Sequence, residues 1–261
     1  MNMVFALGVI IALAAAARST WSPCGLSMLS TITPVTEQGR GRRYAATVPW
    51  YLLGALAGGA TLGGVAALAS IPVGAAAVPE MTVFAIIGLF AVVSIFSDLG
   101  VGGFQLPRHK RQVDRLWLDH YRSWVYGTGF GWQIGVGLAT YIVTTGVYLT
   151  VLIAVLTGSP IRALTIGLLF GGVRGLAIFL GARATTLEKL HALHRGLTRF
   201  EPASRAFMFS IQAVVASLAI GQAWGTAAGV VTMALITGVG LYMIRSRKTR
   251  PMVADRTPTA V

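Results

Sequence analysis

Seven long apolar stretches, separated by short charged segments, dominate the 261 residues of this sequence. They cover residues 3–34, 45–69, 81–97, 128–157, 160–182, 206–222 and 226–244. A bilayer core about 30 Å thick requires about 20 apolar residues in one helix. The pattern therefore predicts an all-α, polytopic membrane protein with about seven transmembrane helices. The sixth stretch is short and contains Gln212 and Ser217, so a six-helix protein is the alternative.

The composition supports a membrane protein and excludes several other classes. Hydrophobic residues make up 55% of the chain and charged residues 11%, whereas a soluble domain has about 45–50% and about 25%. These values exclude an intrinsically disordered chain. Cys24 is the single cysteine, so the chain has no internal disulfide and no metal cluster of cysteines alone.

The basic residues, which give a net charge of +13, predict the orientation in the membrane. Most of them follow the first, third, fifth and seventh stretches, and the loops at 70–80, 158–159 and 221–225 contain none. Because Lys and Arg concentrate in cytoplasmic loops, we expect a plasma-membrane protein with its N-terminus outside and its C-terminus in the cytoplasm. Anionic lipid headgroups are then the expected partners of the basic segments, and nucleic acid is not.

The helix order predicts an inverted repeat, because two consecutive sets of three helices would have opposite orientations. We assign residues 1–99 to the first three-helix repeat and 128–222 to the second. Residues 100–127 form a cytoplasmic amphipathic linker, 223–245 a seventh transmembrane helix, and 246–261 a basic disordered tail. The apolar residues 3–17 lack the basic start of a signal peptide, so we interpret them as a retained helix. A cleaved signal peptide is the alternative.

The first and fourth stretches are longer than a straight transmembrane helix requires, so we expect one or both to be tilted or broken. In the first, Pro23 removes a backbone donor and Gly25 lowers helix propensity. A break at this point would form a site for an ion or a solute, lined by the ends of two half-helices. In the fourth stretch, Thr140 and Thr144 lie four residues apart and would share one helix face.

Charged residues inside a membrane are costly and indicate function. Arg174 lies within the fifth stretch, between Gly171-Gly-Val and Gly175. We interpret it as part of an anion or polar site, with a structural role in capping a broken helix as the alternative. Arg18, just before the expected break, supports the same interpretation. Asp98 and Arg162 lie at the ends of stretches and are interpreted as interfacial residues.

The segment Thr20-Trp-Ser-Pro-Cys-Gly-Leu-Ser-Met-Leu29 resembles the Ser-Pro-Cys signature in the first helix of the cytochrome c biogenesis protein CcdA and of the transmembrane domain of DsbD. Those proteins belong to a lysine-exporter-like superfamily built from inverted three-helix repeats. The resemblance implies transfer of reducing equivalents from a thioredoxin-like partner through one cysteine in helix one and one in helix four. Here the second cysteine is missing, and Thr145 or Thr144 stands in its place.

A single thiol cannot complete a dithiol cycle within the chain. We therefore expect a transporter of a small solute, an anion or a sulfur compound, with a site between the repeats. Its expected lining is Arg18, Pro23, Thr144, Thr145 and Arg174, and Cys24 is the catalytic residue only if the protein is a thiol-disulfide oxidoreductase with an external resolving thiol. A non-catalytic membrane scaffold is a third hypothesis.

No cofactor and no metal is expected. His191 and His194 have a spacing that occurs in metal sites, but the sequence gives them no further ligand.

Overall fold

A computed structural model describes residues 2–107 and 121–249. The described part is helical and contains no strand. Three short 3-10 segments, Ser19–Trp21, Val101–Gly103 and Ala177–Gly181, follow the first, fifth and eighth of ten helices. These are α1 (Asn2–Arg18), α2 (Pro23–Thr31), α3 (Pro34–Gly39), α4 (Tyr44–Ala75), α5 (Glu80–Leu99), α6 (Ser123–Val136), α7 (Gly146–Leu156), α8 (Pro160–Leu176), α9 (Leu187–Trp224) and α10 (Thr226–Thr249).

Within the described residues, five helical segments are long and apolar enough to cross a membrane. They are Asn2–Trp21, Tyr44–Ala75, Glu80–Leu99, Pro160–Gly181 and Leu187–Trp224. Two shorter apolar helices, Gly146–Leu156 and Thr226–Tyr242, accompany them. The all-α class is thereby confirmed, and the apolar helices fit a multi-pass membrane protein.

The helix of the first apolar stretch is interrupted after Arg18, close to the predicted break. Ser19–Trp21 forms one 3-10 turn, and Ser22 then takes an extended conformation. Pro23 occupies the first turn of α2, where an N–H has no helical partner and its absence costs little. The Ser22 hydroxyl accepts a hydrogen bond from the Gly25 amide at 3.1 Å. The segment before α2 therefore caps the new helix.

The fourth apolar stretch contains a longer break. Residues 137–145, between α6 and α7, are not helical and are called the 137–145 loop here. The loop starts at Gly137 with φ +73°, a backbone conformation that other residues rarely adopt. The prediction that Thr140 and Thr144 share one helix face is therefore wrong, because the chain leaves the helix before it reaches them.

Several boundaries differ from those predicted. α6 begins at Ser123, inside the segment assigned to the linker, and residues 108–120 of that predicted amphipathic linker lie outside the described residues. The sixth apolar stretch is not short, because it continues the helix that begins at Leu187 and forms with it the single helix α9 of 38 residues. Gln212, which weakens the apolar pattern, is buried inside α9. α10 extends to Thr249, so the start of the predicted disordered tail is helical.

α4 packs against α6 on one side and α8 on another. Glycines form both contacts: Gly54 and Gly58 face the backbone of α6, and Gly59 and Gly63 face that of α8. At each of them a Cβ atom would clash with backbone atoms of the neighbouring helix. Small residues let transmembrane helices approach closely, which compensates for the lack of a hydrophobic driving force between helices in lipid.

Gly63→Ala and Gly64→Ala form a matched pair on α4. A Cβ at position 63 would lie 2.8 Å from the Leu164 carbonyl oxygen, whereas nothing lies within 4 Å of one at position 64. We expect Gly63→Ala to lower the free energy of unfolding by about 1–3 kcal/mol through overpacking. Gly64→Ala should leave it unchanged or raise it, because alanine favours a helix. Equilibrium unfolding of the purified protein in detergent measures both, and equal losses in the two variants would contradict the proposed contact.

Candidate functional site

A cavity of about 510 Å³, here called the polar cavity, lies where the break after α1 meets the 137–145 loop. α5 and α9 complete its walls. Its polar lining includes Arg18, Asp98, Thr144, Glu201, Arg205 and Gln212. The cavity therefore brings together polar groups from four separate parts of the chain.

Arg18 joins the end of α1 to α9. One guanidinium nitrogen lies 2.9 Å from the Glu201 carboxylate, and the other donates a hydrogen bond to the Ser204 hydroxyl at 3.2 Å. Arg205 approaches the same carboxylate oxygen at 2.5 Å, so Glu201 is shared by two guanidinium groups. The Trp21 indole N–H donates a hydrogen bond to the Leu197 carbonyl at 2.7 Å. This bond attaches the 3-10 turn after α1 to α9, one helical turn before Glu201. Arg18 itself is buried, with 6% of its surface exposed.

Asp98, at the end of α5, joins the other walls of the polar cavity. Its carboxylate accepts hydrogen bonds from the Thr144 hydroxyl at 2.6 Å, the Thr145 amide at 2.9 Å and the Gln212 side-chain amide at 3.1 Å. Because Thr145 immediately precedes α7, the carboxylate also lies at the positive end of that helix. Asp98, predicted as an interfacial residue from its place at the end of an apolar stretch, is a central acceptor of the site.

Two of the five expected lining residues, Arg18 and Thr144, line the polar cavity. Thr145 lies behind Asp98, and its hydroxyl donates to the Ser94 carbonyl at 2.9 Å. Pro23 starts α2 and is not one of the residues that line the cavity. Arg174 is also outside the cavity. The expected residues are thus divided between the polar cavity and its surroundings.

Arg174 lies on α8, next to the beginning of the 137–145 loop. Only 3% of the surface of Arg174 is exposed, and both of its guanidinium NH₂ groups approach the Thr140 hydroxyl, at 3.4 and 3.5 Å. Its guanidinium carbon lies 5.7 Å from the centre of the Phe170 ring. It also interacts electrostatically with Tyr51 and Cys24. Arg174 therefore belongs to a second polar group, buried among α4, α8 and the loop.

Cys24 is a free thiol near the start of α2, and 1% of its surface is exposed. It packs in an apolar cluster that includes Met28, Leu29, Tyr51 and Phe130. A thiol must reach its partner to form a mixed disulfide, so this arrangement protects Cys24 from exchange as long as the cluster stays closed.

Glu37 on α3 was not anticipated from the sequence, although it is completely buried. Its carboxylate accepts hydrogen bonds from the Tyr126 hydroxyl at 2.5 Å and the Thr47 hydroxyl at 2.6 Å, and Arg40 lies 3.4 Å away. These contacts join α3 to α4 and α6. The composition could have indicated both Glu37 and Glu201. The chain contains only 8 acidic residues, so each of them is a candidate for a specific contact.

His194 makes hydrogen bonds with both ring nitrogens, one with the Ser30 hydroxyl and one with the Leu190 carbonyl, each at 2.9 Å. These bonds help to attach α9 to α2. Across residues 2–107 and 121–249, no group of three or more His, Cys, Asp or Glu side chains is close enough to hold a metal ion.

Tyr126→Phe removes one of the two hydroxyl donors to the buried Glu37 carboxylate. We expect a loss of about 1.5–3 kcal/mol in the free energy of unfolding, the usual range for a hydrogen bond to a charged group. Tyr148→Phe is the matched control, since its hydroxyl donates to the neutral Pro107 carbonyl at an exposed position. Thermal or denaturant unfolding in detergent measures both changes. A Tyr126→Phe variant no less stable than the control would show that Glu37 does not depend on this bond.

The chain is similar to proteins named methylamine utilization protein MauF. It is 30% identical to that of Paracoccus versutus over 229 residues, which cover 81% of this chain and 78% of the relative. For the protein of Paracoccus denitrificans the identity is 31% over 181 residues, covering 66% and 62%. For that of Methylophilus methylotrophus it is 32% over 163 residues, covering 58% and 54%. No family model and no solved structure matches the chain. The similarity over most of both sequences shows that this chain belongs to the family of methylamine utilization proteins MauF.

Proposed function

We propose that this protein transports a small solute across the plasma membrane through the polar cavity. A membrane tolerates non-helical backbone only where protein or a water-filled cavity surrounds it. Transporters use such interrupted helices to build binding sites from their ends. The observation that carries the proposal is the meeting of two interrupted helices at one cavity lined by Arg18, Asp98 and Glu201.

The proposed architecture is an inverted repeat of three membrane passages followed by a seventh helix. The first repeat comprises α1 with α2, α4 and α5, and the second comprises α6 with α7, α8 and α9. The first passage of each repeat is the interrupted one, and inverted three-helix repeats are what the resemblance to CcdA and DsbD implies. α10 is the additional helix. The distribution of basic residues supports an external N-terminus and a cytoplasmic C-terminus.

The hydrogen-bonding groups of the polar cavity favour an anionic solute, including an oxyanion of sulfur. Asp98 accepts three hydrogen bonds from protein donors, and one carboxylate, Glu201, is shared between Arg18 and Arg205. Two guanidinium groups and two carboxylates line the cavity, so the preference for an anion rests on guanidinium N–H groups that remain for a solute; among the described residues Arg205 donates through its Nε–H. Guanidinium groups bind oxyanions with two parallel hydrogen bonds, which gives geometric selectivity.

The MauF relatives are named for methylamine utilization, and we propose that the transport serves that process in the source organism of this chain. Transport of a small anion is compatible with a supporting role, in which the protein supplies or removes a compound that another component of the process requires.

A second candidate function is the transfer of reducing equivalents by Cys24 with a thioredoxin-like partner. It is favoured by the position of Cys24 at the start of α2, directly after the first interruption, within the Ser-Pro-Cys segment that resembles CcdA and DsbD. Acid quenching of cells, followed by alkylation with a heavy maleimide, tests it directly. A mixed disulfide that disappears in Cys24→Ser would support the redox function, and a thiol that stays reduced under oxidant would eliminate it.

Uptake by proteoliposomes tests the transport proposal. We expect vesicles that contain the full chain to accumulate radiolabelled thiosulfate or sulfate faster than empty vesicles. Arg18→Gln should lower the initial rate about tenfold or more, the effect of losing one charge-assisted hydrogen bond to the solute. Arg199→Gln is the matched control, because this arginine is exposed on the same helix as Glu201. Absence of uptake of both anions, or equal rates in the two variants, would overturn the proposal.

Growth tests the role in methylamine utilization separately. We expect this chain to restore growth on methylamine to a Paracoccus versutus strain that lacks its MauF protein, and Arg18→Gln to fail at equal abundance in the membrane. A chain that reaches the membrane but does not restore growth would contradict the role in methylamine utilization while leaving the uptake result as it stands.

A further inference from the structure

The guanidinium of Arg174 is buried without a counter-ion among the described residues. Arginine has five N–H donors, and the acceptor that they reach is the Thr140 hydroxyl, at the long distances of 3.4 and 3.5 Å. Removing a charge from water is costly unless an opposite charge and hydrogen bonds compensate for it. No carboxylate in the described part of the chain pairs with this group. The position therefore lacks one negative charge.

Tyr51 supplies a second unpaired group at the same place. This residue of α4 is completely buried, its hydroxyl has no hydrogen-bond partner within residues 2–107 and 121–249, and it lies near Arg174. Buried hydroxyl groups are normally hydrogen-bonded, so an isolated one needs an explanation. A phenol O–H and a guanidinium are both donors, and they share one kind of ligand, a negatively charged acceptor.

The start of the 137–145 loop lies directly against the guanidinium. A Cβ atom at Gly137 would lie 2.5 Å from the Phe170 ring and 3.2 Å from a guanidinium nitrogen of Arg174, so the lack of a side chain lets the backbone come this close. The surroundings of Arg174 are closely packed on this side, which limits a ligand to the size of a single atom.

We propose that Arg174 and Tyr51, together with the Thr140 hydroxyl, form a buried binding site for a small inorganic anion of halide size, distinct from the polar cavity. The anion neutralises the guanidinium and accepts the hydrogen bond that the Tyr51 hydroxyl does not otherwise make. It joins α4, α8 and the start of the 137–145 loop, whose other end lines the polar cavity. The site stands whether or not the polar cavity carries a transported solute.

Chloride titration of the purified full chain tests this site. Chloride replaces gluconate at constant ionic strength, and tryptophan fluorescence follows thermal unfolding. We expect the unfolding temperature to rise with chloride and then to saturate, because a ligand that binds the folded state stabilises it. Arg174→Gln should abolish the saturable rise. Tyr51→Phe preserves the volume of the side chain and should raise the half-saturating concentration about tenfold, the loss of one hydrogen bond to an anion.

Two further variants make the outcome specific. Arg174→Lys keeps the charge and should retain a weaker response, which separates loss of the site from loss of the fold. Arg18→Gln removes a cation of the polar cavity and should retain the full response. A wild-type chain without a saturable response would overturn the inference. A response lost in Arg18→Gln but kept in Arg174→Gln would also overturn it, because the anion would then bind in the polar cavity. If the Cys24 thiolate already neutralises Arg174, the wild-type chain would not respond to chloride, whereas Cys24→Ser would. That result would also overturn the inference.

Discussion

Backbone polar groups that leave a helix inside a membrane must find partners within the protein, and this requirement governs the two interrupted helices. Ser22 caps the helix that follows the first break, and Asp98 accepts the Thr145 amide at the second. Both contacts place polar atoms where lipid would offer them no hydrogen-bond partner. Once such atoms are present, neighbouring elements must supply further donors and acceptors, and Gln212 and Glu201 on α9 do so. The polar cavity is the space that these groups enclose.

The sequence was informative wherever one residue type has a single strong effect on the backbone. Pro23 predicted the first break because it cannot continue a helix, and the apolar stretches predicted the helical class because their length matches a bilayer. The second break was predicted only from length. Its position depends on Gly137, whose left-handed conformation cannot be distinguished in the sequence from the helical glycines nearby. The unbroken α9 was also missed, since Gln212 lowers the apolar average but finds its partner across the fold, in Asp98.

The site was harder to predict than the fold, because its members come from distant parts of the chain. Arg18 and Arg174 were identified from the cost of a charge in a membrane, yet they belong to different polar groups. The carboxylate that pairs with Arg18, that of Glu201, lies in a segment that shows no motif. Pairing across 183 residues, as between Arg18 and Glu201, leaves no trace in local spacing. The Ser-Pro-Cys motif around Cys24 indicates thiol chemistry, but the fold buries the thiol.

The glycine contacts of α4 also restrict how this molecule can move. Where helix backbones touch directly, no side chains lie between them to rearrange, so α4, α6 and α8 behave as one rigid body. α5 and α9, which form the opposite wall of the polar cavity, also approach each other closely at Gly88, where a Cβ would lie 3.2 Å from the Ile220 amide nitrogen. The transport that we propose would therefore displace two closely packed groups of helices relative to each other, α4 with α6 and α8, and α5 with α9.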